Sequence, residues 1–367
     1  METVYRSDRT GHQVQLVRGN DGERLGAEEE LLKAGVPLML MHRALWSGNR
    51  HMWETWFLLV RDAQGIPCAG AALEVVQTRA LPVHRILRLP RFGGGLSGQV
   101  CRAILDAAIV LAKQEKYALR IEVQAFSRDH RGELIEALGS AGFTEIRPPA
   151  SYRHTLAVDL RPSEEEIFAA FSKSARTRIR ETTKKGFLGC KITDPVYAER
   201  MMELLLESLQ RTGGHTPTED MHGILSMSEK FPDLSAVFAL FISDDLAPEN
   251  MAAFTWVCSH GDHAEYRTAG STRKFNTRIP FGYLLVWEMI RWAKSAGAQW
   301  FDMGGVTLAD EGQTTLEGIS DFKQFFTRDL LEVGSEWVLE VAPIRSSLAS
   351  MISQGTLRVR ELLGRAS

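Results

Sequence analysis

SAVFALFISDDLAPENMAAFTWVCS, residues 235–259, holds two apolar runs around the polar turn DDLAPEN at 244–250. Runs rich in Val, Phe, Ala and Trp on either side of a turn with Pro and Asn read as a hairpin of buried strands. Beyond it the chain reads AEYRTAG (264–270), a helical stretch from Phe281 to Ser295, and the strand QWFDMGG (299–305). A short helix from Ser320 to Phe326 and a strand, LLEVGSEWVLEV (330–341), complete the series.

The same order occurs earlier in the chain. A hairpin, TWFLLVRDAQGIPCAGAALEVVQT (55–78), turns at Asp62–Gly65 and is followed by the strand HRILRLPRF (84–92) and Gly93-Gly94-Gly95. An amphipathic helix from Ser97 to Lys116 carries Ile104, Ala108, Leu111 and Ala112 on one face. Then come ALRIEVQA (118–125), a helix over 128–141 and the strand YRHTLAVDL (152–160). Equivalent features, Asp62 and Asp245, Ser97 and Phe281, Leu119 and Trp300, stand about 180 residues apart. An offset of half the chain predicts two copies of one α/β unit of the α+β type. Each copy is a hairpin feeding a mixed, largely antiparallel sheet flanked by helices. A doubly wound sheet would need regular strand–helix alternation and an early phosphate loop, which are missing. The expected division is 1–160, 161–342 and a helical tail, 343–367. At the joint, Ser163 followed by Glu164, Glu165 and Glu166 reads as the N-cap of the next helix.

Composition agrees with two ordinary folded domains. The 367 residues carry 43 Lys and Arg against 46 Asp and Glu, a net charge of −3, with 44% hydrophobic and 24% charged residues. That excludes global disorder and a basic coat for duplex DNA. Cys68, Cys101, Cys190 and Cys258 form no short pair, so CxxC metal sites and a disulfide framework are not expected, and a reducing cytoplasmic setting is. METVYRSDRTGHQ lacks an apolar secretory core, and the longest apolar run, AILDAAIVLA, contains Asp106 and is too short to span a bilayer.

Four stretches could carry chemistry. SKSARTRIRETTKKGFLGCK (172–191) sets seven basic residues against Glu181, with Arg176, Arg180 and Lys184 at i, i+4, i+8. Such a stripe suits phosphates and equally a solvated helix face. Asp302 stands before Gly304-Gly305, where it either orients an amine or caps the turn. Lys323 sits among the aromatics of DFKQFF, either facing a cleft to stabilise an oxyanion or snorkelling to water. Arg91-Phe-Gly-Gly-Gly-Leu-Ser-Gly98 opens a helix and suits an anion, although Leu96 breaks the coenzyme A signature and 273–278 has no glycine. His260 and His263 flank Gly261-Asp262 as a hairpin turn, and no metal site is expected. GxSxG, HExxH and GxxxxGK[ST] motifs do not occur.

SKSARTRIRETTKKG, AEYRTAGST, WAKSAGAQWFDMGG and DFKQFF, in this order and spacing, resemble the Fem family of peptidyltransferases and the acyltransferases related to it. The resemblance covers the second half, and reaches the first by element order and LPRFGGGLSG. It implies two tandem GNAT-like domains with no bound cofactor. It also implies transfer of an aminoacyl group from aminoacyl-tRNA to an amine of a peptidoglycan-type precursor; the alternative is an acyl-CoA-dependent N-acyltransferase. Lys323 matches the family's Phe-Lys lysine, which stabilises charge during transfer, and Asp302 would assist the amine. Arg176, Arg180 and Lys184, with Tyr266, Arg273, Gly304, Gly305 and Arg91, are the expected substrate contacts. The implied partners are a phosphate-bearing or lipid-linked acceptor and tRNA, with no DNA. The family continues Phe-Gly after the lysine, whereas this chain reads Phe326-Thr327. The tail, with Arg345, Arg358, Arg360 and Arg365, is expected to pack on the second domain and at most to touch a membrane peripherally.

Overall fold

In a computed structural model describing residues 2–8, 10–18, 21–47, 54–78, 80–81, 83–212, 219–275, 280–306 and 317–352, the strands form two sheets. The chain divides into two units, Met1–Ser151 with the chain from Val333 onward, and Tyr152–Glu332.

The first unit runs β1 (Glu2–Arg6), β2 (Gln13–Val17), α1 (Asp21–Lys33), α2 (Ala44–Ser47), β3 (Glu54–Arg61), β4 (Pro67–Gln77), β5 (Arg85–Phe92), α3 (Gly98–Gln114), β6 (Ala118–Phe126), α4 (Arg131–Ser140) and β7 (Thr144–Ile146). The second runs β8 (His154–Asp159), α5 (Glu164–Ala170), α6 (Lys173–Lys184), β9 (Leu188–Ile192), α7 (Ala198–Thr212), α8 (Met221–Lys230), β10 (Ser235–Phe241), β11 (Met251–Ser259), β12 (His263–Ser271), α9 (Gly282–Ser295), β13 (Trp300–Val306), α10 (Glu317–Gln324) and β14 (Leu330–Glu332). The chain then returns to the first unit as β15 (Gly334–Glu340).

The sheet orders are β1-β2-β3-β4-β5-β6-β15-β7 and β9-β10-β11-β12-β13-β8-β14. The strands correspond by their place in the order: β3 to β10, β4 to β11, β5 to β12, β6 to β13, β7 to β14. Each sheet has one parallel pair, β5 with β6 and β12 with β13, bridged by α3 and α9 respectively. The strand between β6 and β7 is β15, from the far end of the chain, and the one between β13 and β14 is β8, which directly follows β7. This corrects the expected boundaries. YRHTLAVDL belongs to the second unit because its backbone pairs with β13, Trp300 opposite Asp159 and Asp302 opposite Ala157. LLEVGSEWVLEV is two strands, parted at Val333, with β14 on β8 and β15 on β6 and β7. The division is therefore 152–332 inserted into the first unit rather than 1–160 followed by 161–342.

Burial explains why the hairpins read so clearly. Every residue of β10 and β11 is buried, because helices cover both sheet faces and leave no polar side to alternate with. α9 and α6 pack with Phe238, Leu240 and Phe301 on one face. α7 packs on β12, where a Cβ at Gly270 would come within 2.6 Å of the Leu204 and Leu205 backbone. In the first unit α3 buries Ile104, Ala108, Leu111 and Ala112 against the sheet, and α1 sets Ala27 and Leu31 against Phe57 and Leu59 on the other side. Ser163 caps α5 reciprocally with Glu166, as its sequence indicates.

One buried histidine makes the first unit acid-sensitive. His42 accepts a hydrogen bond from the Ala72 N–H at 3.1 Å, and burial pushes its pKa down to about 4. The unfolded chain takes up this proton near pH 6.5, whereas the folded one resists until about 4. Stability contributed by the neutral ring is therefore full above pH 6.5 and is lost as pH falls, by about 3 kcal/mol below pH 4. Denaturant unfolding at pH 7 and pH 4 should show a smaller loss for His42→Gln than for the wild type. Equal losses would reject the assignment.

Candidate active site

The site forms where the parallel pair of the second unit separates. β12 and β13 pair from His263 opposite Trp300 to Glu265 opposite Asp302, and no further. β13 then bulges against β8 between Asp302 and Gly305, with Gly304 at φ +75°. A Cβ at Gly304 would sit 3.0 Å from the Tyr266 carbonyl oxygen, and one at Gly305 would sit 2.5 Å from Tyr152 Cβ. Close approach requires both glycines, and Gly304 is required by its backbone conformation as well.

Asp302 is fully buried in this opening. Its Oδ1 accepts the Gly304 N–H at 2.7 Å and the Thr155 hydroxyl. The Tyr152 hydroxyl lies 2.9 Å from Oδ2 and 3.1 Å from Glu265 Oε1, bridging the two carboxylates. Glu265 also accepts from Arg267 Nη1 at 3.1 Å and lies 3.1 Å from His260 Nε2. A carboxylate so fully engaged holds geometry and charge in place.

Lys323, on the last turn of α10, reaches into the same opening and donates to the Gly305 carbonyl at 2.7 Å. Only 7% of it is exposed. Burial lowers its pKa to about 8, against the opposing pull of the Asp302 and Glu265 charges. Its Nζ lies 6.0 Å from the Tyr266 ring centroid, and burial pushes the Tyr266 hydroxyl pKa upward. The lysine is therefore enclosed instead of snorkelling. Phe322 and Phe326 anchor its helix on Tyr283. Thr327, where the Fem pattern has glycine, needs no left-handed backbone; its hydroxyl donates to the Ala157 carbonyl at 2.7 Å.

The basic stripe begins beside this helix, since the Ser172 N–H donates to the Phe325 carbonyl at 2.9 Å. Ser172 caps α6 by accepting the Ala175 N–H at 3.1 Å. Arg180 and Lys184 are exposed and, with Glu164, Glu165, Phe168 and Trp287, line a cleft of about 460 Å³. Arg180 lies over the Phe168 ring at 5.2 Å. Arg176 is half-buried and donates to the Ala169 carbonyl, so part of its capacity caps α5. Arg273 is exposed just beyond β12, whereas 276–279 of its loop lie outside the described residues.

Arg91 belongs to the first unit. It is 3% exposed, has φ +44°, and stacks on Phe126 at 4.1 Å. The glycines after it serve packing: a Cβ at Gly93 would meet Leu134 at 2.5 Å and one at Gly94 would meet Met39 Sδ at 2.8 Å. The N-terminus of α3 already holds an anion, because Glu133 Oε2 accepts the Gly98 N–H at 2.7 Å. That loop therefore differs from the open anion cradle its glycines suggest. The sequence reading missed Tyr152 and Thr155, because no local pattern links them to Asp302 across some 150 residues, and Glu265, because it meets Asp302 only through the pairing of β12 with β13.

Residues 240–354 match the model of the FemAB family. The fold is that of a FemX crystal structure, with a TM-score of 0.74 and 15% identity, covering 91% of this chain and 99% of that one. L-PGS from Bacillus licheniformis matches with a TM-score of 0.52 and 14% identity over 95% and 98% of the two chains. The C-terminal domain of a putative lysylphosphatidylglycerol synthetase from Agrobacterium fabrum also gives 0.52 and 14%, over 91% and 97%. Among curated proteins none matches by sequence. The Fem resemblance and the mixed α/β fold of two like units read from the sequence are thus borne out.

Proposed function

We propose that this chain is an acyltransferase that moves an aminoacyl group from aminoacyl-tRNA to an amine of a peptidoglycan-type precursor. The observation that carries the reading is Lys323, an enclosed ammonium at the point where β12 and β13 part. In the step, the acceptor nitrogen attacks the donor ester carbonyl and forms a C–N bond. The C–O bond to the ribose then breaks, and the proton lost by the amine goes to the departing oxygen. Charge develops on the carbonyl oxygen between these events. A preorganised ammonium away from water stabilises that charge strongly. With a pKa of about 8 Lys323 is mostly protonated at pH 7, as this role requires. Asp302, saturated by Thr155, Gly304 and Tyr152, acts as a positioning residue that keeps Lys323 charged.

The exposed Arg180 and Lys184 beside α6 support a donor that carries phosphate, with Glu164, in the same cleft, engaged by Arg291. The likeness to a putative lysylphosphatidylglycerol synthetase favours an acceptor that is lipid-linked. Acyl-CoA is the alternative donor, and Glu133 at the N-terminus of α3 disfavours a pyrophosphate there. Incubation of the purified protein with charged tRNA or acyl-CoA, with candidate amines and product mass as readout, separates the two. Product that forms from the tRNA donor and disappears after RNase treatment is expected. RNase-insensitive product from acyl-CoA would reject the aminoacyl-tRNA reading.

A further inference from the structure

After β15 the chain forms a helix over 343–352, entered through Pro343. Its inner side is fixed to the first unit: Ser346 and Ala349 are buried, Arg120 Nη1 donates to Ser346 Oγ at 3.3 Å, and Arg345 Nη1 donates to the Lys116 carbonyl at 3.1 Å. This replaces the expected packing on the second domain. Its outer side is apolar, with Ile344 87%, Leu348 45% and Met351 63% exposed. Spacings of four and three put these on one face. Arg345 and Lys116 are exposed there, Lys113 is exposed on the last turn of α3 three residues before Lys116, and Glu115 is paired with Arg85 at 3.6 Å. Arg358, Arg360 and Arg365, against one acid, Glu361, follow in the sequence outside the described residues.

We infer that this helix docks the protein peripherally on an anionic lipid bilayer. Ile344, Leu348 and Met351 enter the interface, and the basic residues beside them meet lipid phosphates. A single-helix strip of three apolar side chains is small against the roughly 800 Å² per partner of a stable protein interface. It is ample for an interfacial helix, which combines a few inserted apolar side chains with electrostatic attraction. No helix among the described residues is long and apolar enough to cross a membrane, so the contact is one of lying on the surface. The inference concerns residues outside the acyl-transfer site and does not rest on that reading.

The test is co-sedimentation of the full-length protein with phosphatidylcholine vesicles, with and without about a quarter phosphatidylglycerol. Binding to the anionic vesicles only, weakened by salt, is expected. Ile344→Ser with Leu348→Ser and Met351→Ser should lower binding at least tenfold with Tm maintained, because all three side chains face solvent. Lys113→Glu with Lys116→Glu should remove the preference for anionic lipid. Failure of the wild type to bind either vesicle would overturn the inference, as would undiminished binding by the triple variant. A wild-type dimer that becomes monomeric in the triple variant, without vesicle binding, would also overturn it by assigning the face to a second copy.

Discussion

Lys323→Met is expected to lower turnover by about 10²–10³-fold, the typical cost of removing one preorganised oxyanion donor, and to make the protein more stable at pH 7. Both effects have one cause. Holding an ammonium in this enclosed site moves its pKa from 10.5 to about 8, so the folded state disfavours the charge by about 3 kcal/mol at neutral pH. The sign follows from proton counts: between pH 8 and 10.5 the unfolded chain holds the proton and the folded chain does not. Wild-type stability therefore rises with pH through this window, and the uncharged thioether of the variant removes the rise. The Gly305 carbonyl loses its donor in the variant, at a cost of about 1–2 kcal/mol, which leaves a net gain of about 1–2 kcal/mol. Denaturant unfolding at pH 7 and 10 and single-turnover transfer measure the two arms. Wild-type-like turnover would sink the assigned role. So would a rate that climbs through pH 8 once corrected for the neutral fraction of acceptor amine, since a lysine acting as a base gains with pH and an ammonium loses.

Asp302→Asn should be nearly as damaging, by a different route. The Gly304 N–H and the Thr155 and Tyr152 hydroxyls all reach this carboxylate, and an amide group turns one acceptor oxygen into a donor facing donors. Loss of a partner from a buried charged network costs about 3–5 kcal/mol. The Asp302 charge is also the first of those holding the Lys323 pKa up, so without it that pKa falls below about 8. The descending limb of the pH–rate profile is then expected at lower pH than in the wild type, with kcat at pH 7 down about 10²-fold. A variant that folds, turns over slowly and keeps its limb at pH 8 would contradict the positioning role. A purely structural role predicts lower stability with no movement of the limb, so the profile discriminates between them.

Much of this site was legible in sequence because its parts are local. Asp302 precedes two glycines on one strand, and Lys323 sits in an aromatic run, so residue type and spacing alone single them out. What gives each its role is not local. Thr155 and Tyr152 reach Asp302 from β8 and the residues just before it, and Glu265 is beside it because β12 pairs with β13 up to that residue. Arg91 and the glycines at 93–95 illustrate the converse. Their pattern suggests an anion loop, and the structure uses them for packing against Phe126, Leu134 and Met39, with Glu133 on the helix terminus.

Apolar periodicity and turn chemistry by themselves determined the two-fold repetition of this chain, since both act within a dozen residues. The offset of about 180 residues survives in β3 and β10, α3 and α9, β6 and β13. Strand partnership lay beyond that range. β8 and β15 look alike as apolar–polar runs, and nothing in either run says which sheet will satisfy its backbone hydrogen bonds. Only the tertiary structure decided that β8 completes the second sheet and β15 the first. The same long-range pairing carries Thr155 to Asp302, on the strand whose Gly305 carbonyl receives the enclosed Lys323 ammonium, turning two ordinary side chains into a candidate active site.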